Sequence, residues 1–271
     1  MQVDLISNIE FDQIRRFFQQ ESGICLADTK RSLVSGRLAG RLRALKLDNF
    51  NAYLSYIAKQ GNELERQMAV DLLTTNETYF YREPKHFIFL EKVLAEKQGE
   101  KAPLIWSAAC SSGEEPYTIA MLMAEVFGSR PWQVLGSDIS MRMLESGRTG
   151  LYPLSRAKEL PTHLLKKYCL KGHGDFDGYL LVDDKIKQHV QFAQRNLMEP
   201  QQLDTKADII FLRNVLIYFD NKTKTQIINN ISRCLKPNGL LFIGHSESLH
   251  GISEQFTALK PALYRFKGAR S

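Results

Sequence analysis

Leu104-Ile-Trp-Ser-Ala-Ala-Cys-Ser-Ser-Gly113-Glu114-Glu115-Pro-Tyr117 decides the reading of this 271-residue chain. An apolar run enters a stretch of small residues and leaves on a helix. Such a run reads as a strand buried on both faces, the kind found in parallel sheets. The small residues after it let backbone approach a ligand closely. Downstream, strands are expected at 132–136, 190–193, 208–212 and 240–244, with helices at 115–127, 140–146 and 223–235. Lys236-Pro-Asn-Gly239 reads as a turn, and 256–266 as an edge hairpin partner. Strands alternating with helices predict a mostly parallel α/β sheet with right-handed crossovers. Only 172–192 breaks the alternation, with turns at Gly172-His-Gly174 and Asp177-Gly178. It is expected to be a small antiparallel β-subdomain inserted in the sheet domain.

Upstream of about residue 100 the texture is helical. Ser7-Asn-Ile-Glu10 forms a capping box before a helix with Ile9, Phe11, Ile14, Phe17 and Phe18 as its apolar positions. Val34, Leu38, Leu42 and Leu45 make a second stripe. Further helices are expected at 50–60, 62–73 and 84–97. The expected division is an all-helical domain over 1–75, a linking segment over 76–99 and the sheet domain over 100–271.

Composition excludes several classes. With 44% hydrophobic and 24% charged residues, the chain is neither disordered nor fibrous. The net charge of +6 suits an acidic partner. Cys25, Cys110, Cys169 and Cys234 form no CxxC pair, and no two of the six histidines stand four apart. No metal is therefore expected, and His245 reads as structural. The N-terminal stretch lacks the pattern of a signal peptide, and no apolar run approaches the ~20 residues that cross a bilayer. A cytoplasmic protein without membrane insertion is expected.

Ligands of open α/β sheets sit beyond the carboxyl ends of the strands. Here those ends carry Gly113-Glu114-Glu115, Asp138, Asn196-Leu197 and Arg213-Asn214. An acid at Asp138 suits the two ribose hydroxyls of an adenosine. Two glutamates opening the helix would repel a pyrophosphate, which wants that helix's positive end. They suit instead a ligand with a cationic amino-acid end, which favours S-adenosylmethionine over a dinucleotide.

Longer strings carry a resemblance. Thr74-Thr-Asn-Glu-Thr-Tyr-Phe-Tyr-Arg82-Glu83, Trp106-Ser-Ala-Ala-Cys-Ser-Ser-Gly-Glu-Glu-Pro-Tyr117, Ser137-Asp-Ile139, Arg213-Asn-Val-Leu-Ile-Tyr-Phe-Asp220 and Gly244-His-Ser-Glu-Ser248 occur in that order. With them the chain resembles the chemotaxis receptor methyltransferases, the CheR family, over nearly its whole length. The resemblance implies a helical domain followed by a Rossmann-like class I methyltransferase domain with an inserted β-subdomain. It implies methyl transfer from S-adenosylmethionine to glutamate side chains of chemoreceptors, leaving S-adenosylhomocysteine. The cofactor contacts it implies are Asn76, Thr78, Arg82, Glu114, Asp138, Asn196, Leu197, Arg213 and Asn214. Arg82 and Tyr218 match the residues that line the acceptor site. A glutamate carboxylate is already ionised at pH 7, so no general base is needed.

Between Lys30 and Lys46 six cations stand with no acid among them. Arg31, Arg37, Arg41 and Arg43 are expected to steer glutamate-bearing receptor helices. The expected partners are those cytoplasmic helices and a receptor C-terminal tail peptide, with the enzyme a monomer and nucleic acid excluded. The alternative is an S-adenosylmethionine-dependent methyltransferase acting on another protein or on nucleic acid. Against the latter, residues 213–216 read Arg-Asn-Val-Leu rather than the Asp/Asn-Pro-Pro-aromatic string of amino-methylating DNA enzymes.

Overall fold

The computed structural model describes residues 6–99 and 101–268. Residues 1–5, 100 and 269–271, which include the expected outer limits of the two domains, lie outside the described residues. Helices α1 (Asn8–Ser22), α2 (Arg31–Leu45), α3 (Phe50–Ile57) and α4 (Glu63–Leu73) build the first unit. The capping box forms, with Ser7 Oγ accepting from Glu10 N at 3.2 Å and Ser7 N donating to Glu10 Oε2 at 3.0 Å. Glu10 also accepts from Phe50 N at 3.1 Å, so one carboxylate caps α1 and α3 together. Phe11, Ile14 and Phe18 meet Val34, Leu38 and Leu42 in one core. Ile9, expected on that face, is 72% exposed, because the 11-14-18 stripe turns it outward.

Next come α5 (Pro84–Glu96), β1 (Ile105–Ala108), α6 (Glu114–Phe127), β2 (Val134–Asp138) and α7 (Met141–Thr149). A small antiparallel sheet follows, from β3 (Leu151–Pro153), α8 (Thr162–Tyr168), β4 (Cys169–Lys171) and β5 (Tyr179–Val182), in the order β3-β5-β4. The main sheet resumes after α9 (Asp184–Lys187) with β6 (Val190–Gln194), β7 (Ala207–Leu212), α10 (Asn221–Arg233), β8 (Leu235–Ile243), β9 (Phe256–Lys260) and β10 (Leu263–Phe266). Its order is β6-β2-β1-β7-β8-β10-β9, with the first five parallel and the last two an antiparallel edge hairpin. Alternate residues serve opposite cores: Ile209, Phe211 and Phe242 face one, and Ile210, Leu212 and Ile243 the other. Both faces are thus covered, as a parallel sheet requires.

Two expectations need correcting. The inserted β-subdomain spans 151–182 rather than 172–192, since 190–194 pairs with β2 as a strand of the main sheet. Residues 236–239 do not end the helix in a turn. The pairing of β7 jumps from Leu235 to Leu240, and Asn238 at φ 63° shows these residues bulging out of β8.

The two units are stitched together at the strand ends. Asp71 of α4 accepts from the first amides of α7, Met141 N at 3.1 Å and Arg142 N at 3.2 Å, so one unit caps a helix of the other. Gln67 donates to Ile139 O at 3.0 Å, and Cys25 N donates to Tyr218 O at 2.9 Å. Among the described residues, no helix is long and apolar enough to cross a membrane.

Candidate functional site

Between the strand ends and the helical unit lies a cleft of about 480 Å³. Sheet order places its floor where β1 has β2 on one side and β7 on the other, the switch point at which such sheets bind ligands. After β1 the backbone turns sharply, with positive φ at Ala109, Ser111 and Gly113. Only glycine fits at 113: φ is 96°, and an added Cβ would lie 3.0 Å from Phe192 and from the Tyr152 hydroxyl. The turn is fixed from three sides. Ser111 N donates to Asp138 Oδ2 at 2.8 Å, Ser111 Oγ to Asn76 O at 3.1 Å, and the Tyr152 hydroxyl to Ser112 O at 2.6 Å.

Asp138, at the end of β2, also accepts Ser140 N at Oδ1, 2.9 Å away. Burial pushes its pKa up against the pull of these backbone donors. Asn76, Thr78, Arg82, Asp138, Asn196, Leu197, Arg213 and Asn214 all line the cleft, as does Tyr218. Glu114 does not. It is fully buried, bonded to Arg156 Nη1 at 2.6 Å and Ser112 Oγ at 2.7 Å, which corrects its expected place at the ligand. Glu115 lines the cleft instead. Successive helical residues differ by about 100° in direction, so one of two adjacent glutamates must turn away.

Two other side chains are more committed than their positions suggested. Asn196 donates to Glu21 O at 2.7 Å and accepts from Met198 N at 3.0 Å, so its amide braces the helical unit as well as facing the cleft. Arg213 is a buried bridge. It donates to Glu115 Oε2 at 2.7 Å, to Glu83 Oε2 at 3.0 Å and to the carbonyl of Arg82. Glu83 in turn accepts from Asn214 Nδ2 at 3.1 Å and His245 N at 3.2 Å. Burial raises Glu83, but Arg213 and these donors outweigh it and hold the carboxyl down at about 2. Glu247 accepts from the backbone of Gly244, Asn214 and Ile217, and so shapes the loop that carries Tyr218. Glu83 and Glu247 escaped the sequence reading, although both lie inside the strings that carried the resemblance.

Arg82 donates to Glu77 O at 2.7 Å, and among the described residues it has no carboxylate partner. Tyr218 is half-buried. Burial raises its pKa and the nearby Arg82 charge pulls it back, so it is a neutral hydroxyl at pH 7. The remaining N–H groups of Arg82, whose guanidinium also lies over the Tyr79 ring, and the Tyr218 phenol on one wall of the cleft can hold a carboxylate by three donors.

The basic helix divides. Arg31 and Arg43 are exposed. Arg37 caps α4, donating to Leu73 O at 3.0 Å and Thr74 O at 2.9 Å. Arg41 pairs with Glu65 through two nitrogens, the first at 2.8 Å. These two brace the helical unit rather than extend an open cationic face.

Comparison with known proteins follows the same division. The family model described as CheR methyltransferase, all-alpha domain, matches residues 9–74, and CheR methyltransferase, SAM binding domain, matches 76–264. Chemotaxis protein methyltransferase of Salmonella typhimurium is 41% identical over 262 residues, covering 96% of this chain and 90% of that protein. The Escherichia coli protein of the same name is 39% identical, covering 96% and 91%. That of Borreliella burgdorferi is 36% identical, covering 95% of each.

Proposed function

The chain belongs to the CheR methyltransferase family and is an S-adenosylmethionine-dependent methyltransferase of chemotaxis; from that premise we propose that it methylates glutamate side chains of chemoreceptors. The observation that carries the acceptor is Arg82, a guanidinium at the cleft with no carboxylate partner among the described residues, beside the neutral Tyr218 hydroxyl. In the proposed arrangement Asp138 takes the ribose hydroxyls, Leu197 and the backbone of Asn196 border the adenine, and Glu115 faces the ammonium end. Asn76, Thr78 and Asn214 close the remaining walls.

Bound there, S-adenosylmethionine would supply an electrophilic methyl group to an acceptor carboxylate oxygen, its sulfur keeping the electron pair of the broken carbon–sulfur bond, so that an ester and S-adenosylhomocysteine would result. No proton moves. The charges of carboxylate and sulfonium vanish as the new bond forms, so a dry cleft favours the transition state over the reactants. Orientation supplies the rest, to which in-line placement contributes about 7–11 kcal/mol in favourable cases. Exposed Arg31 and Arg43 would steer the acidic receptor helix. The open edge of β4, with Leu170 53% exposed, would accept a receptor tail peptide as an added strand.

Calorimetry tests the cofactor assignment. S-adenosylmethionine and S-adenosylhomocysteine should bind one to one and NAD should not; NAD binding, or silence with all three, overturns the reading.

A further inference from the structure

Behind the Arg82 wall, where the first turn of α5 meets the loop after β8, three side chains converge that do not line the cleft. We propose that Glu83, His86 and His245 form a site for a divalent transition-metal ion, Zn²⁺ being the cation whose ligand preference matches two imidazoles and a carboxylate. One donor atom from each lies within 4.8 Å of the others. His86 Nδ1 is 3.4 Å from Glu83 Oε2, and His245 Nδ1 is 3.9 Å from the same oxygen. Ligands bonded to zinc at about 2.0–2.1 Å in a tetrahedron are about 3.4 Å apart, so one edge already has that length. His245 has a side chain 44% exposed and is free to close the remainder.

His86 gives the second, independent reason. It is 4% exposed, yet among the described residues neither ring nitrogen has a hydrogen-bond partner. A buried imidazole left without hydrogen-bond partners is destabilising, and a metal in the gap would satisfy it. Glu83, the N-cap residue held at φ 62° before Pro84, stands three positions ahead of His86 in the first turn of α5. Spacing alone could not reveal the third ligand, 159 positions downstream.

The charge balance admits a cation although Arg213 touches Glu83. Glu83, Glu115 and Glu247 all bond to Arg213 or Asn214, setting three carboxylates against the Arg213 guanidinium and that of Arg82 at the cleft. Coordination would draw on the carboxylate that anchors Arg213, and Arg213 holds the Arg82 carbonyl. A bound ion is therefore an inhibitor of acceptor turnover rather than a participant in it. That consequence rests on the proposed methyl transfer; the site itself does not, and binding is read separately.

Chelator-stripped protein is titrated with Zn²⁺ against a chromogenic chelator, and with Co²⁺ while visible absorption is followed. One equivalent should bind, with d–d bands of a four-coordinate N/O site. His245→Ala, at an exposed position, should keep its thermal unfolding profile and basal methylation but bind at least about tenfold more weakly, a loss seen even for residues that only orient a ligand. His250→Ala should bind as the wild type does. Zn²⁺ should lower wild-type turnover reversibly and spare His245→Ala. Absence of binding below about 0.1 mM, or His245→Ala binding like the wild type, overturns the site and leaves water in the gap beside His86.

Discussion

Arg82→Ala tests the acceptor geometry most sharply. The guanidinium spends one hydrogen bond inside the protein, on Glu77 O at 2.7 Å, and pairs with no carboxylate among the described residues. Its removal should therefore cost the fold only about 1 kcal/mol or less. Toward an acceptor carboxylate it can offer a charge-assisted fork, worth about 2–3 kcal/mol, or roughly 30- to 150-fold in rate terms. The carboxylate loses its charge as the ester forms, so this attraction is strongest before the transition state. The loss should thus appear as a raised KM for the receptor fragment, lowering kcat/KM, with kcat unchanged or higher. Initial rates at saturating S-adenosylmethionine over a range of receptor fragment give both constants. Urea unfolding checks the fold, and calorimetry with S-adenosylhomocysteine separates any share Arg82 has in holding the cofactor. Arg82→Lys should recover part of the loss, since a point charge lacks the fork. An Arg82→Ala enzyme within twofold of wild type, or one destabilised by several kcal/mol, would show that Arg82 serves the fold instead.

Tyr218→Phe should lower kcat/KM by about 1–1.5 kcal/mol, roughly five- to tenfold, because one neutral donor is lost; an unchanged value would reduce Tyr218 to packing. Asp71→Ala removes acceptors for Met141 N, Arg142 N and Gln67, and should cost about 2–3 kcal/mol in urea unfolding; a cost under 0.5 kcal/mol would deny it a role in joining the two units. Burial raises Glu10, but bonds from Ser7, Asn51 and Phe50 outweigh it and hold the carboxyl below 4.5. A depressed acid stabilises above its unfolded pKa and loses that contribution as pH falls through the folded one. Circular dichroism melts should therefore fall in Tm below about pH 4, and Glu10→Gln should flatten that fall. Arg43→Glu should weaken receptor methylation at low salt and leave S-adenosylhomocysteine affinity unchanged; insensitivity to both charge and salt would remove steering from the account.

The main sheet was legible because its strands are buried on both faces. Leu104 to Ala109 and Asp208 to Leu212 read as apolar runs whatever their neighbours. The helical stripes were legible for the same reason of period, and Ile9 misled only by lying beside one. What could not be read was short or distant. Leu151–Pro153 and Cys169–Lys171 are three-residue strands, too brief to show a period, so the inserted sheet was placed some twenty residues late. The bulge at 236–239 carries the composition of a turn, and only pairing distinguishes the two.

The cleft shows the same boundary. Strand ends are fixed by the apolar runs before them, so Asp138, Arg213 and Asn214 could be placed from the chain alone. Which of two adjacent glutamates faces the ligand depends on helix rotation within the first turn. Whether a cation is free depends on acids far off in sequence: Arg41 meets Glu65 on another helix, and Arg213 meets Glu83 across 130 positions. Charge runs could be counted, but their partners could not.

Incubation with S-adenosylmethionine labelled in the methyl group and a chemoreceptor cytoplasmic fragment should place label on the fragment, and mild alkali should release it as methanol. Label that survives alkali, or that stays with the cofactor while the protein binds S-adenosylhomocysteine normally, would contradict the account.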